Sequence, residues 1–203
     1  NSADQYFASM RNHQAVTLAK QYMQQGVCYD AVTGYANQLV FDEEGKIIFE
    51  PDYLAGSNSS FDDRWSNQQK NDMLVAVNDF YATSNFREWF VSTQSEQQQA
   101  IASFKSACDL DYTWFDSFYG KNDKVSSRII LSFMIGNHNN GISLKRKDGT
   151  LLLTPVLGSL SQNDGTVRFN GDMNLIVHEF SHPYCNPLIE ANWSSIVTKA
   201  NDV

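Results

Sequence analysis

The sequence predicts an α+β fold with a helical N-terminal half, a small antiparallel sheet and a final helix near the end of the chain. Three observations support this prediction. Apolar residues recur at helical spacing through most of residues 1–120, and three strand-length apolar runs separated by turn sequences follow residue 126. Helical spacing then returns between Met173 and Phe180. We therefore expect a helical part over about 1–120 and a sheet with one more helix over about 126–203.

Composition indicates a single globular domain over residues 1–203. The chain is 42% hydrophobic and 13% aromatic, which allows a sizeable core and argues against disorder. A net charge of −8, without a large cluster of Lys and Arg, argues against a nucleic-acid partner. No apolar run approaches the roughly 18 residues of a transmembrane helix. The oligomeric state is left open.

The cysteines do not indicate a framework of disulfides. Cys28, Cys108 and Cys185 are an odd set without C-x-x-C spacing. At most one disulfide is possible, and a zinc site built from cysteines is not predicted.

Four helical stretches are expected in the first half. "ADQYFASMRNHQAVTLAKQYMQQG" predicts one helix ending at Gly26, and "YANQLVFDEEGKIIFE" predicts a hairpin that turns at residues 44–45. A long helix follows, with Ser60 or Asp62 as its N-cap. "NFREWFV" and "STQSEQQQAIASFKSACDLDYTWFDSFYG" continue as helices to Gly120.

The second half is predicted to contain a three-strand meander and a helix. "SRIILSFMIG", "GISLKRK" and "TLLLTPVLG" are the strands, and "NHNN" and "KDG" are their turns. "SQNDGTVRFNGD" is predicted to be a loop, and Asp172 is predicted to cap the last helix. Pro183 lacks an amide proton and crowds the preceding turn, so we expect the helix to kink or end there.

The last helix carries an H-E-x-x-H motif formed by His178, Glu179 and His182. Residues four apart on a helix lie one above the other, so the two imidazoles can aim at one zinc ion. Glu179 is rotated by about 100° from His178, which suits a general base that acts on a zinc-activated water. A buried helix that carries these polar residues by chance is the alternative, but without partners they would be costly to bury.

A catalytic zinc ion normally takes a third protein ligand. The spacing H-E-x-x-H-x-x-G-x-x-H would require a histidine at position 188, where Leu188 stands. Three alternatives stay open: Glu190, Asp202, or a residue beyond Val203.

The same segment suggests how a peptide substrate would bind. An extended peptide could pair with an exposed strand edge, and "GNHNNGISL" at 136–144 is the predicted edge. His138 and Tyr184 are candidates to donate a hydrogen bond to a developing oxyanion.

Four segments together resemble an uncharacterised family of secreted proteins from Bacteroides and relatives. They are "RNHQAVTLAKQYMQQGVCYDAVTGYANQL", "WFDSFYG", "GNHNNG" and "HEFSHPYCNPL". The family is classed as a domain of unknown function with a zincin-type H-E-F-x-H signature. The resemblance implies a zincin-like fold of the gluzincin type and a zinc-dependent metallopeptidase that hydrolyses peptide bonds.

The resemblance has two further implications. It implies export from a Gram-negative cell, to a secreted, periplasmic or cell-surface location. The chain starts with Asn1 rather than Met, so we expect any signal peptide to be already absent. The resemblance also implies that a glutamate on a following helix completes the zinc site, so that the chain would be a fragment of a longer protein. A non-catalytic binding module on a zincin-like scaffold and a hydrolase of something other than peptides are the competing functions.

Overall fold

The computed structural model describes residues 2–54, 63–108, 112–121 and 123–201. Contacts group the chain into two compact units, the first formed by residues 1–98 with 144–148 and the second by 99–143 with 149–203. A single folding domain over 1–203 stays a prediction. The α+β class is confirmed, since the described residues form helices and small sheets.

The first unit is mainly helical. Its elements are α1 (Ser2–Tyr6), a 3₁₀ turn (Ala8–Met10), α2 (Gln14–Gln24), α3 (Asp30–Ala36), α4 (Asn67–Thr83) and α5 (Phe86–Ser92), and α6 (Gln94–Ala107) begins here. One continuous helix over residues 3–26 was expected, and this is wrong. His13 is extended, with ψ of 148°, and its Nδ1 accepts a hydrogen bond from the Ala15 amide at 3.1 Å. This side chain caps α2 and so starts a new helix.

The predicted hairpin in this unit is confirmed. Strands β1 (Leu39–Phe41) and β2 (Ile47–Phe49) pair antiparallel. Asn78 of α4 holds β2, because its side chain accepts from the Ile47 amide at 2.9 Å and donates to the Ile47 carbonyl at 2.8 Å.

The long helix α4 begins with a capping box. The Ser66 hydroxyl accepts from the Gln69 amide at 3.2 Å, and the Gln69 side chain accepts from the Ser66 amide at 2.8 Å. Ser60 and Asp62, the predicted caps, lie outside the described residues. The unit's core is aromatic and aliphatic and consists of Tyr22, Val27, Ala31, Tyr35, Trp65 and Met73.

The second unit contains a mixed sheet, so the antiparallel meander is wrong. Its strands are β3 (Val125–Ser127), β4 (Ile130–Leu131), β5 (Asn139–Lys145) and β6 (Leu151–Leu157). Both β3 and β4 pair parallel to β6, and β5 also pairs with β6. The connection between β5 and β6 is five residues long, 146–150, which joins antiparallel neighbours. The central strand is therefore β6, and β5 lies at an edge.

Burial explains this strand order. Strand β6 reads "LLLTPVL" and is buried from its second residue onward, as a strand covered on both faces must be. Strand β5 reads "NNGISLK" and is polar at both ends, which suits an edge. Pro155 adds a local effect, because it has no amide proton for the ladder. The neighbouring strand is interrupted at 128–129, opposite residues 154–155.

Residues 160–169 form a hairpin where a loop was expected. Strands β7 (Leu160–Asn163) and β8 (Thr166–Phe169) pair antiparallel. Asp164 and Gly165 both have positive φ, at 51° and 75°, which is the conformation of a two-residue type I′ turn. The Asp-Gly pair between two strand-forming runs was the signal for it.

Two helices complete the unit, α7 (Tyr112–Tyr119) and α8 (Met173–Asn201). Helix α8 has 29 residues and does not end at Pro183, so the expected end there is wrong. Loss of one backbone bond is tolerated because the residues before it are anchored in the core. That core consists of Phe104, Cys108, Leu153, Leu157, Phe169, Ile176 and Phe180.

All three cysteines are free thiols, with Cys108 buried and the other two half-buried. Within the described residues, no helix has an apolar stretch long enough to cross a bilayer.

Candidate metal centre

The start of α8 sets the direction of its side chains. Asp172 accepts hydrogen bonds from the amides of Asn174 at 2.9 Å and Leu175 at 3.2 Å, so the predicted N-cap is confirmed. Ile176 and Phe180 are 0% and 3% exposed and lie in the core. Because residues two apart on a helix are about 200° apart, the positions 178 and 182 face away from this anchor.

The two histidines of the motif lie side by side. Their Nε2 atoms are 3.0 Å apart, and the rings meet edge to face with centroids 4.6 Å apart. His178 is exposed and His182 is half-buried. A carboxylate oxygen of Glu179 lies within 4.8 Å of both ligand nitrogens. This group of His178, Glu179 and His182 could hold a metal ion.

Glu179 is the buried member of the group, with 5% exposure. Burial raises the pKa of its carboxyl, since the charged form is poorly solvated there. His182, His178 and a hydrogen bond from the Gly141 amide lower the pKa, but burial outweighs them. The carboxyl therefore holds a proton more readily than an exposed glutamate does.

Strand β5 approaches the motif at Gly141. A Cβ atom placed on Gly141 would lie 2.7 Å from the Glu179 carbonyl oxygen, 3.4 Å from His182 Cβ and 3.5 Å from Glu179 Oε2. Only a glycine leaves room for the strand at this distance. The segment 136–144 was predicted as the strand edge beside the site, but Gly141 itself was missed. A glycine inside a strand pattern is the signal for such close approach of the backbone.

The opposite side of the helix is held by α7, which was also missed. The Tyr119 hydroxyl donates to Ser181 Oγ at 2.6 Å, and Ser181 Oγ donates to the Val177 carbonyl at 2.6 Å. The rings of Phe115 and Phe180 contact each other with centroids 5.3 Å apart. These contacts fix the turn that carries the motif.

Among the described residues, the group that could hold a metal contains none of the other predicted site residues. Glu190 is exposed on the same helix, eight residues after His182 and so about 12 Å along the axis, and it is not part of the group. Asp202 and the side chain of Tyr184 lie outside the described residues. His138 precedes β5, where its carbonyl accepts from the Gly158 amide at 3.0 Å.

No curated protein and no solved structure matches the chain. The family comparison confirms the coarser part of the resemblance, namely a family whose function is unknown. The model of that family, a domain of unknown function (DUF4932), matches residues 1–202, and the chain therefore belongs to the DUF4932 family.

Proposed function

We propose that this protein is a zinc-dependent metallopeptidase with a zincin-like, gluzincin-type site. One observation carries the proposal. Two imidazole nitrogens 3.0 Å apart and a buried carboxylate converge within 4.8 Å on one rigid helix. The spacing H-E-x-x-H is the one in which two histidines hold zinc and the glutamate acts as base.

The donor set fits zinc. Imidazole nitrogens bind zinc at about 2.0–2.1 Å, so two of them in a tetrahedral shell lie roughly 3.3 Å apart. The observed separation of His178 and His182 Nε2 is 3.0 Å, which needs an adjustment of a few tenths of an ångström. Neutral imidazole with a neighbouring carboxylate is a set that zinc accepts. In the proposal, His178 and His182 hold the ion, and the third ligand lies outside the group that the described residues form.

The chain's own residues would then perform the proton transfers. A bound zinc ion would lower the pKa of a water molecule and polarise the scissile carbonyl. Glu179 takes a proton from the attacking water and passes it to the leaving amine. Its burial favours this role, because a carboxyl with a raised pKa holds the transferred proton more readily than an exposed glutamate does.

The position of strand β5 supports the proposal that the substrate is a peptide. In the described part of the chain, β5 has β6 as its one strand neighbour, but the Lys145 carbonyl at its end already accepts a hydrogen bond from the Leu54 amide at 2.9 Å. The stretch of β5 before Lys145 is therefore the part of the edge with which an extended chain could pair. Gly141 places this strand directly against the turn that carries Glu179. A peptide that adds to the edge would therefore lie beside the proposed base.

Zinc content and cleavage of a peptide library test the proposal. Both are measured on the chain and on a version extended past residue 203, because the third ligand stays open between Asp202 and a later residue. Glu179→Gln should keep zinc and lose cleavage by about a thousandfold or more, whereas Glu190→Gln on the exposed part of the helix should cleave normally.

Two results would contradict the peptidase. Unchanged cleavage in Glu179→Gln would show that another group acts as base. Tight zinc binding without cleavage in the extended protein would favour the non-catalytic binding module. An exported location belongs to the same proposal and is tested by fractionating cells of the source organism.

A further inference from the structure

Position 141 requires a glycine because a side chain would not fit beside the motif, and not because of its backbone conformation. The φ angle of Gly141 is outside the left-handed region, so other residues could adopt it. A Cβ would nevertheless lie 2.7 Å from the Glu179 carbonyl oxygen, closer than real Cβ atoms come to backbone. The absence of a side chain at this position is therefore what lets β5 touch α8 here.

The close approach delivers a hydrogen-bond donor. Glu179 Oε2 lies 3.5 Å from the site of a Cβ on Gly141, and a hydrogen bond from the Gly141 backbone is one of the causes that lower the pKa of the Glu179 carboxyl. That carboxylate belongs to a side chain that is 5% exposed, so a protein donor takes the place that water holds at the surface.

Pro183 changes the hydrogen bonding of the Glu179 carbonyl, the group that lies nearest to Gly141. A residue at this position in a helix normally donates its amide to the carbonyl four residues earlier, which is that of Glu179. Proline has no amide proton, so that carbonyl receives no bond from position 183. It is also the oxygen nearest to the site of a Cβ on Gly141. The Glu179 carbonyl is thus the backbone group closest to Gly141 and also one that receives no hydrogen bond from position 183.

We propose that Gly141 is a positioning residue that fixes the Glu179 carboxylate beside His178 and His182. This inference rests on the proposed function, because it assigns a task to the base of that site. A methyl group at position 141 would push β5 away by several tenths of an ångström, since ordinary contact begins near 3.4 Å. The amide would then no longer hold the carboxylate in place.

Gly141→Ala tests the positioning role, and the same substitution at Gly171 is its control. Gly171 is also crowded, with a Cβ site 2.4 Å from the Phe169 ring, but its nearest atoms belong to side chains of Phe169 and Leu175 and not to the motif. With the best substrate from a quenched-fluorescent peptide library, Gly141→Ala should lose about tenfold to a hundredfold in kcat, with KM within about twofold. Zinc affinity should stay within about threefold. Gly171→Ala should lower Tm and leave kcat unchanged.

A second measurement needs neither a substrate nor a folded Gly141 variant. Hydrogen exchange of the Gly141 amide, followed by NMR, should become at least about tenfold faster in Glu179→Ala, because its acceptor is gone. The amides of Ile142 and Leu153 should exchange as in the wild-type protein.

The outcomes separate the two proposals. Faster exchange at Gly141 in a protein that cleaves no peptide supports the contact and contradicts the peptidase. Unchanged exchange in Glu179→Ala, or wild-type kcat in Gly141→Ala, overturns the positioning role.

Discussion

The two ends of helix α8 have similar apolar content and opposite surroundings. In its first part, residues 173–182, Ile176 and Phe180 are 0% and 3% exposed. In its last part, residues 188–199, the apolar side chains face solvent. Their exposures are Leu188 66%, Ile189 44%, Trp193 60%, Ile196 43% and Val197 37%.

The difference shows what positions the candidate site. Hydropathy alone does not distinguish the two parts, because each has apolar residues at helical spacing. Contact with β5, α7 and the core distinguishes them, because these contacts involve the first part and, for Tyr119 of α7, also Cys185 just after it. His178, Glu179 and His182 therefore lie on the part of the helix whose rotation is fixed, as a metal site requires.

Removing a proposed ligand should give the largest effect. His178→Ala should weaken zinc binding at least about a thousandfold, equal to about 4 kcal/mol, because an inner ligand matters more than the outer partners that cost 10–100-fold. Glu190→Ala, on the exposed part of the helix, should bind zinc as the wild-type protein does. Competition with a chelator of known affinity measures both. Equal affinity in the two variants would show that His178 is not a ligand.

The same residue type can be truncated in both parts of the helix. Ile176→Ala should lower the free energy of unfolding by about 2–5 kcal/mol, because it leaves a cavity in the core. Ile189→Ala should change it by no more than about 0.5 kcal/mol, since the side chain is already 44% exposed. Urea denaturation gives both values. A cost above about 2 kcal/mol for Ile189→Ala would mean that this surface is covered in solution.

Asp172, the N-cap of helix α8, should contribute less to the free energy of unfolding than Ile176 does. Asp172→Ala removes the acceptor of two amide hydrogen bonds and should cost about 1 kcal/mol. Asp172→Asn keeps an acceptor oxygen and should cost only a few tenths of a kcal/mol. The same denaturation experiment compares them, and equal losses in both variants would assign the effect to charge rather than to capping.

The smallest predicted effect is on thermal stability, and it depends on pH. Burial raises the Glu179 pKa, so the native state binds a proton more tightly than the unfolded chain. The carboxyl's contribution to stability is therefore present below the ordinary glutamate pKa of about 4.3 and is lost as pH rises through the raised value. In metal-free protein, Glu179→Gln should thus have a higher Tm than wild type at pH 7. The gain should vanish near pH 4.

A scan of Tm against pH in EDTA, with Glu190→Gln as control, checks this prediction. Glu190 is exposed and is not part of the group, so this variant controls for the glutamate-to-glutamine change itself. A constant difference between wild type and Glu179→Gln over the whole range would contradict the sign derived from burial.

Local patterns predicted the elements that depend on nearby residues. The hairpin at residues 39–49, the cap at Asp172 and the convergence of His178 with His182 follow from turn chemistry, capping and the helical repeat. The hairpin at 160–169 was predictable in the same way from its Asp-Gly turn, but was missed.

Other features depended on partners distant in sequence. The order of the strands follows from burial of β6 on both faces, which periodicity within one strand cannot reveal. The helix continues past Pro183 because its earlier turns pack in the core, and packing exceeds the loss of one hydrogen bond.

The sequence by itself determined the H-E-x-x-H spacing, and helix geometry turns that spacing into two adjacent imidazoles. Only the tertiary structure decided that Glu179 is buried, that Gly141 touches it and that Tyr119 holds the other side of the turn. The reason is physical. Spacing along one helix is a local property, whereas burial and contact depend on which strand and helix cover each face.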